Sequence, residues 1–430
     1  MPLFKNKQEF GWSMYDWANS AFATTVMAGF FPIFFKEYWS QGAEVTESTA
    51  MLGFANSFAS IFVAALAPLL GAMADAGRQK KAFLIFFAYL GALASGALFL
   101  VPPGAWLGAA LTYAFGIVGF SGSLIFYDAL LPAIVAEKRI DFVSSLGYGM
   151  GYLGGGLLFA CNVWMTLSPA TFGLADAGEA VRISFITVAL WWGLFTLPVI
   201  FLVPEPHLRE VTKTQSAIRA GWQQLLHTFH RVRHLRTILL FLIAYWLYID
   251  GVDTIIRMAV DYGLSIGFKS EDLIVALLIT QFVGFPSAIF FGKLGEKIGA
   301  KRSIFIGIGV YLLVVIWATQ MTEKFEFYAL AVTIGLVQGG IQALSRSFYS
   351  RLIPHDQAGE FYGFYNLLGK FAVIFGPVLM GLTGLISRSS RVGMASIAIL
   401  FLAGGVLLYF VDEQKGREEV RHLELPPRTK

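Results

Sequence analysis

Along the chain, long apolar runs alternate with short clusters of charged and turn-forming residues. The runs fall at 11–36, 50–74, 82–102, 106–131, 143–167, 183–203, 237–260, 272–292, 303–321, 326–350, 361–387 and 391–411. Hydrocarbon about 30 Å thick takes around 20 apolar residues per helical crossing, so each run is long enough to span a bilayer. None shows the period-two alternation of a barrel strand, and within a bilayer the backbone must bond to itself. The pattern therefore predicts an all-α integral membrane protein of twelve transmembrane helices.

Composition sharpens this reading. Of 430 residues, 56% are hydrophobic and 14% charged, against roughly 25% charged in an ordinary soluble domain. A net charge of +4 does not point to nucleic acid, because the basic residues sit between apolar runs. They cluster at Lys5 and Lys7, Arg78 to Lys81, Lys138 and Arg139, Lys293 to Arg302, and beyond Lys415, all on one side if the spans alternate. The longest polar stretch, Glu205 to Arg236, falls on that side too. The opposite-side turn between Pro102 and Trp106 has no charge. The excess of Lys and Arg in cytoplasmic loops places both termini in the cytoplasm, in a cell inner membrane. The first run carries Asp16 and Asn19 and no small-residue cleavage pattern, so it reads as a retained helix rather than a leader. Cys161 is the sole cysteine, which excludes a disulfide framework and a cysteine-only metal site.

The chain also repeats itself. Gly71, Asp75 and Arg78 in GAMADAGRQKK correspond to Gly292, Glu296 and Gly299 in GKLGEKIGAKR at an offset of about 221. Phe126, Tyr127 and Pro132 in FYDALLP match Phe348, Tyr349 and Pro354 in FYSRLIP at nearly the same offset. Two motif pairs sharing one offset predict a duplicated six-helix unit, with halves at 1–204 and 237–414, a cytoplasmic linker at 205–236 and a tail at 415–430.

The glycine, acid and basic pattern after the second span of each half resembles the loop signature of the major facilitator superfamily. The copy with Gly292, Glu296, Gly299, Lys301 and Arg302 fits it well. The copy with Gly71, Asp75, Gly77 and Arg78 is one residue short between acid and glycine. Glycine lets helices approach and a carboxylate favours a neighbouring helix N-terminus, so the two loops read as a cytoplasmic latch. More specific are YDWANSAF at Tyr15–Phe22, YIDG at Tyr248–Gly251 and GGIQALSRS at Gly339–Ser347. These resemble the autophagy-related vacuolar amino-acid effluxer family, a major facilitator branch with bacterial members, and the likeness runs over nearly the whole chain. It implies the twelve-helix major facilitator fold in two pseudo-symmetric bundles. It also implies transport of amino acids or similar solutes.

Independently of family, an ionised side chain within a bilayer costs several kcal/mol and calls for a partner or a water-filled path. Asp16, Asp128, Asp250, Asp253, Arg257, Arg346 and Lys370 are such residues. Helical spacing puts Asp250, Asp253 and Arg257 on one face and Gln338, Gln342 and Arg346 on another. In the resembled fold the first, fourth, seventh and tenth helices line the central cavity. These four carry Asp16 with Asn19, Tyr127 with Asp128, the Asp250 group and the Gln342 group, which makes them the expected solute path. Structural readings stand beside this one: Asp16 as a cap, Asp128 near headgroups, Asp253 with Arg257 as an ion pair, Arg346 reaching to the interface. Trp17, Tyr245, Trp246 and Tyr365 fit either stacking on a solute or packing, and the glycines of the fifth and eleventh spans fit close packing.

The sequence offers no His pair at metal spacing, no phosphate loop and no nucleophile triad, so no enzyme, cofactor or metal is expected. The expected protein is a monomeric secondary transporter of a small polar solute, an amino acid or similar zwitterion, working by alternating access with a proton or other coupling ion. Carriers of a sugar or peptidoglycan fragment, and multidrug/proton antiporters, are the alternatives. The fourth span lacks the arginine and the fifth the Gly-Pro element usual in such antiporters.

Overall fold

The computed structural model describes residues 3–41, 70, 79–205, 235–265 and 270–424. Their regular structure is entirely helical. Among them nine helices are long and apolar enough to cross a membrane. The third to sixth spans are Lys80–Ala97, Trp106–Ile134, Ile140–Leu167 and Ala177–Leu202. The seventh to tenth are Arg236–Ser265, Ser270–Ile298, Ala300–Gln320 and Lys324–Ser350; the twelfth is built of Ser390–Ser396 and Ala398–Tyr409. The eleventh, Ala358–Ser387, is also helical. Of the run at 50–74 only residue 70 is among the described residues.

The first span is helical from Lys7 to Trp39 but not uniform. An α-helix, Lys7–Ala21, is capped by the Asn6 side chain, which accepts from the Glu9 N–H at 2.8 Å. It then widens into π-helical turns over Phe22–Phe30, tightens for Phe31–Phe34 and widens again over Phe35–Trp39. Pro32 in the tight segment has no N–H to continue the ladder. Aromatic rings pack along both kinds of turn, with Phe22 of the first wide stretch 5.5 Å from the Trp192 ring and Phe31 of the tight segment stacked on Tyr113 at 3.7 Å.

Contacts gather the chain into two compact units. One comprises Met1–Leu66, Lys81–Tyr127 and Met150–Pro204; the other comprises Ala67–Lys80, Asp128–Gly149 and Glu205–Lys430. In the first unit the glycines of the fifth span serve close packing. A Cβ on Gly154 would lie 2.6 Å from the Trp17 ring, and one on Gly155 would lie 2.9 Å from Ser20 O and Thr24 Oγ1. The backbones of the first and fifth spans therefore touch where only glycine fits.

The second unit has a continuous apolar core running from Ala129 through the seventh to twelfth spans to Val420. Short 3-10 turns, Glu137–Arg139 and His355–Gln357, lead into the fifth and eleventh spans, so the two FY…P motifs are followed by the same local device. Beyond the last span, where the sequence suggested only a tail, residues Glu413–Glu424 form a helix. It packs Gly416 on Leu352 and Thr237, and its Glu419 accepts from Thr237 Oγ1 at 3.0 Å. Arg417 pairs with Glu137 and Glu413.

Candidate functional site

In the first unit, Asp16 is 5% exposed and accepts a hydrogen bond from Tyr127 Oη at 2.7 Å. Tyr127 is itself fixed by Trp12, whose ring stacks on it at 4.2 Å and whose Nε1 donates to its backbone carbonyl at 2.9 Å. Asn19, one turn after Asp16, is buried, and its Oδ1 accepts from Ser20 Oγ at 3.5 Å. The structure thus joins Asp16 and Tyr127, which the sequence named separately. Trp17 turns to the sixth span, stacking on Trp191 at 5.6 Å while Trp191 Nε1 donates to its carbonyl. It is a packing residue here.

The second unit holds a larger polar cluster around Arg346, which is 1% exposed. Its Nη1 lies 3.1 Å from Asp128 Oδ1, its Nε donates to Ser144 Oγ at 2.9 Å and its Nη2 to the Ser144 carbonyl at 2.7 Å. The guanidinium also sits 4.4 Å from the centre of the Tyr148 ring. Asn366 Nδ2 donates to the other Asp128 oxygen at 3.3 Å. One turn further along, Asp141 accepts from Ser347 Oγ at 2.6 Å and pairs with Arg351 at 2.6 Å. Asp141 stands in the first turn of the fifth span, where a carboxylate also complements the helix dipole. Two buried acids and two arginines thereby tie the tenth span to the end of the fourth and the start of the fifth. Arg346 and Asp128, both expected along the solute path, are each other's partners.

Sequence reasoning missed Asp141, Ser144, Tyr148, Arg351 and Asn366. Arg351, in the FYSRLIP motif, and Asp141, beside a basic cluster, give no sign of each other in the sequence because they lie about 200 residues apart.

Asp250 is 1% exposed; its Oδ1 accepts from the backbone N–H of Gly376 at 3.0 Å and from Thr254 Oγ1 at 3.4 Å. Its face thus meets the eleventh span. Asp253 is half-buried, and the side chains of Arg257 and Lys370 lie outside the described residues. On the tenth span Gln338 and Gln342 are half-buried, and Gln338 Oε1 has no hydrogen-bond partner among the described residues. Tyr245 stacks on Tyr365 at 4.2 Å, and Tyr365 on Tyr349 at 5.0 Å, so these rings pack together.

Of the expected latch, Gly71, Asp75 and Arg78 lie outside the described residues. In the second copy, a Cβ on Gly292 would meet Ser145 Cβ at 2.8 Å, and Gly299 has φ +91°, which glycine alone adopts without strain. Glu296 and Arg302 are exposed. Lys301 donates to the carbonyls of Tyr409 and Val411 at 2.9 and 2.6 Å, closing the last turn of the twelfth span. No group of three or more metal-ligating side chains occurs among the described residues.

Comparison with known proteins supplies the family. The profile described as vacuole effluxer Atg22 like matches residues 38–421. The chain belongs to the Atg22-like family. An uncharacterised major facilitator-type transporter of Bacillus subtilis, YxiO, is 39% identical over 95% of both chains. Autophagy-related protein 22 of Eremothecium gossypii is 24% identical over 97% of this chain and 93% of its own. Among solved structures, the human organic anion transporter MFSD10 superposes with a TM-score of 0.71 at 11% identity, covering 94% of this chain and 99% of that one. The proton:xylose symporter XylE gives 0.68 at 13%, covering 97% of each. At such identities the likeness establishes the fold. The Atg22-like chain accordingly has the major facilitator fold and is a multi-pass membrane protein, a secondary transporter of small solutes and not an enzyme.

Proposed function

We propose that this transporter carries a small polar solute, an amino acid or similar zwitterion, by alternating access in a bacterial inner membrane, as a monomer with both termini in the cytoplasm. The observation that carries the reading is the buried pairing of Arg346 with Asp128. A guanidinium fully engaged by protein groups in one state becomes a carboxylate receptor when that pairing opens. A solute carboxylate competing with Asp128 for Arg346 would then link loading to the release of the Asp128, Ser144 and Asp141 contacts. Half-buried Asp253 is suited to a solute ammonium or a coupling proton. Asp16, Asn19, Tyr127, Gln338 and Gln342 supply further polar lining, and the repeated halves 1–204 and 237–414 supply the moving parts.

A thermal-shift screen of the purified protein against amino acids, sugars, peptidoglycan fragments, nucleosides and lipophilic cations tests the solute class, because a ligand stabilises the state it binds. Stabilisation by amino acids that disappears in Arg346→Gln supports the reading. Stabilisation by sugars or lipophilic cations alone replaces it with one of the other carriers. For coupling, a pH gradient across proteoliposomes should drive accumulation above equilibrium, and Asp253→Asn should abolish accumulation while leaving exchange. Impermeant thiol reagents should spare cysteines placed at Lys138 and Lys297 in intact cells and label those at Thr171 and Thr322; the reverse would invert the topology.

A further inference from the structure

The eleventh span contains Gly376 followed by Pro377 in its interior. Proline has no N–H, so the carbonyl four residues before it loses its helical partner, and the ring pushes that turn open. Such a break inside a bilayer must be secured by groups from neighbouring helices. Asp250 of the seventh span secures the donor beside that break: its Oδ1 accepts from the Gly376 N–H at 3.0 Å, while the freed carbonyl, itself an acceptor, takes no bond from a carboxylate. Thr254, one turn on, donates to the same oxygen. The approach is possible only because residue 376 is glycine, since a Cβ there would overlap Thr254 Oγ1 and lie 2.8 Å from Asp250 Oδ1. Oδ2 of Asp250 is buried and makes no hydrogen bond among the described residues, so the carboxyl is turned to the backbone with one oxygen only.

We infer that Asp250 is a positioning residue: it clamps the Gly376–Pro377 bend of the eleventh span to the seventh, so that the two spans move as one body. Its work is to accept a backbone N–H, and the residue need not contact solute. What matters is then an acceptor oxygen at this place and not the negative charge. Asparagine keeps that oxygen; alanine removes it.

The test compares Asp250→Asn, Asp250→Ala, Gly376→Ala and the Asp250→Ala/Gly376→Ala double variant. Hydrogen–deuterium exchange in eleventh-span peptides containing Gly376 reads the clamp without any solute. Exchange there should accelerate about tenfold or more in Asp250→Ala and in Gly376→Ala, the factor for losing a hydrogen bond from a local opening equilibrium. Asp250→Asn should stay within about twofold of the parent, and the double variant should be no faster than either single one, since both remove the same contact. Uptake of radiolabelled L-amino acids into proteoliposomes, the arm that rests on the proposed function, should fall with Ala and survive with Asn. If Asp250→Ala fails to fold, wild-type exchange and uptake in Asp250→Asn still support the clamp. Exchange in Asp250→Asn as fast as in Asp250→Ala overturns it, as does an unchanged rate in Asp250→Ala. If the parent takes up no amino acid while the exchange pattern holds, only the solute class is wrong.

Discussion

The Arg346 pairing makes a quantitative demand. Replacing Arg346 by Met removes three charge-assisted contacts, to Asp128 Oδ1, Ser144 Oγ and the Ser144 carbonyl. It also takes from Asp128, 5% exposed, its arginine partner, while the Asn366 bond at 3.3 Å stays. Breaking a buried pair from one side costs about 3–5 kcal/mol, whereas replacing both members by apolar groups of similar volume is often neutral. Arg346→Met should therefore destabilise the described state strongly, and Arg346→Met/Asp128→Leu should recover most of the loss. The coupling between the two positions should reach about 3 kcal/mol, or roughly a hundredfold in population at 1.4 kcal/mol per tenfold. Ser350, at the end of the tenth span and 1% exposed, reports that population once converted to Cys in a Cys161→Ser background. A water-soluble maleimide should label it about a hundredfold faster in Arg346→Met, at the rate expected from that coupling, and nearly at the parent rate in the double variant. Melting temperatures measured alongside separate opening from unfolding. Equal labelling of parent and Arg346→Met, or a double variant worse than the single, would refute the reasoning.

Two further outcomes follow from the packing of the first unit. Tyr127→Phe deletes one hydrogen bond to Asp16 and should cost about 1–3 kcal/mol in denaturant unfolding, with an altered ligand-induced thermal shift; no change in either means that bond carries neither stability nor binding. Gly155→Ala should destabilise by about 1–3 kcal/mol through overpacking against Ser20 and Thr24. Gly381→Ala, whose Cβ would meet nothing within 4 Å, serves as the neutral control.

How much of this was legible in the sequence depended on the range of the interaction. Helix positions followed from apolar run length alone, and the observed helices match the expected spans within a few residues wherever they are described. The role of Gly154 and Gly155 was legible because few environments in a bilayer reward glycine except contact. The repeat was legible because it is a property of the letters. Partners of charged residues were not, since Arg346 with Asp128, Asp141 with Arg351 and Asp250 with Gly376 depend on the rotation of each helix about its own axis. An isolated sequence shows that Arg346 must be satisfied, but not by what. Helix Glu413–Glu424 was hidden for a different reason. It is mostly charged, and its amphipathic face is written in only a few residues such as Val420 and Gly416.

That last helix also bears on how the protein is made. The first turn of the seventh span, at Thr237, receives its side-chain cap from Glu419, 182 residues downstream and beyond the twelfth span. The ribosome delivers Thr237 long before Glu419 exists, so this bond cannot form until five more spans have been made. This contact is thus made only after synthesis has passed the twelfth span.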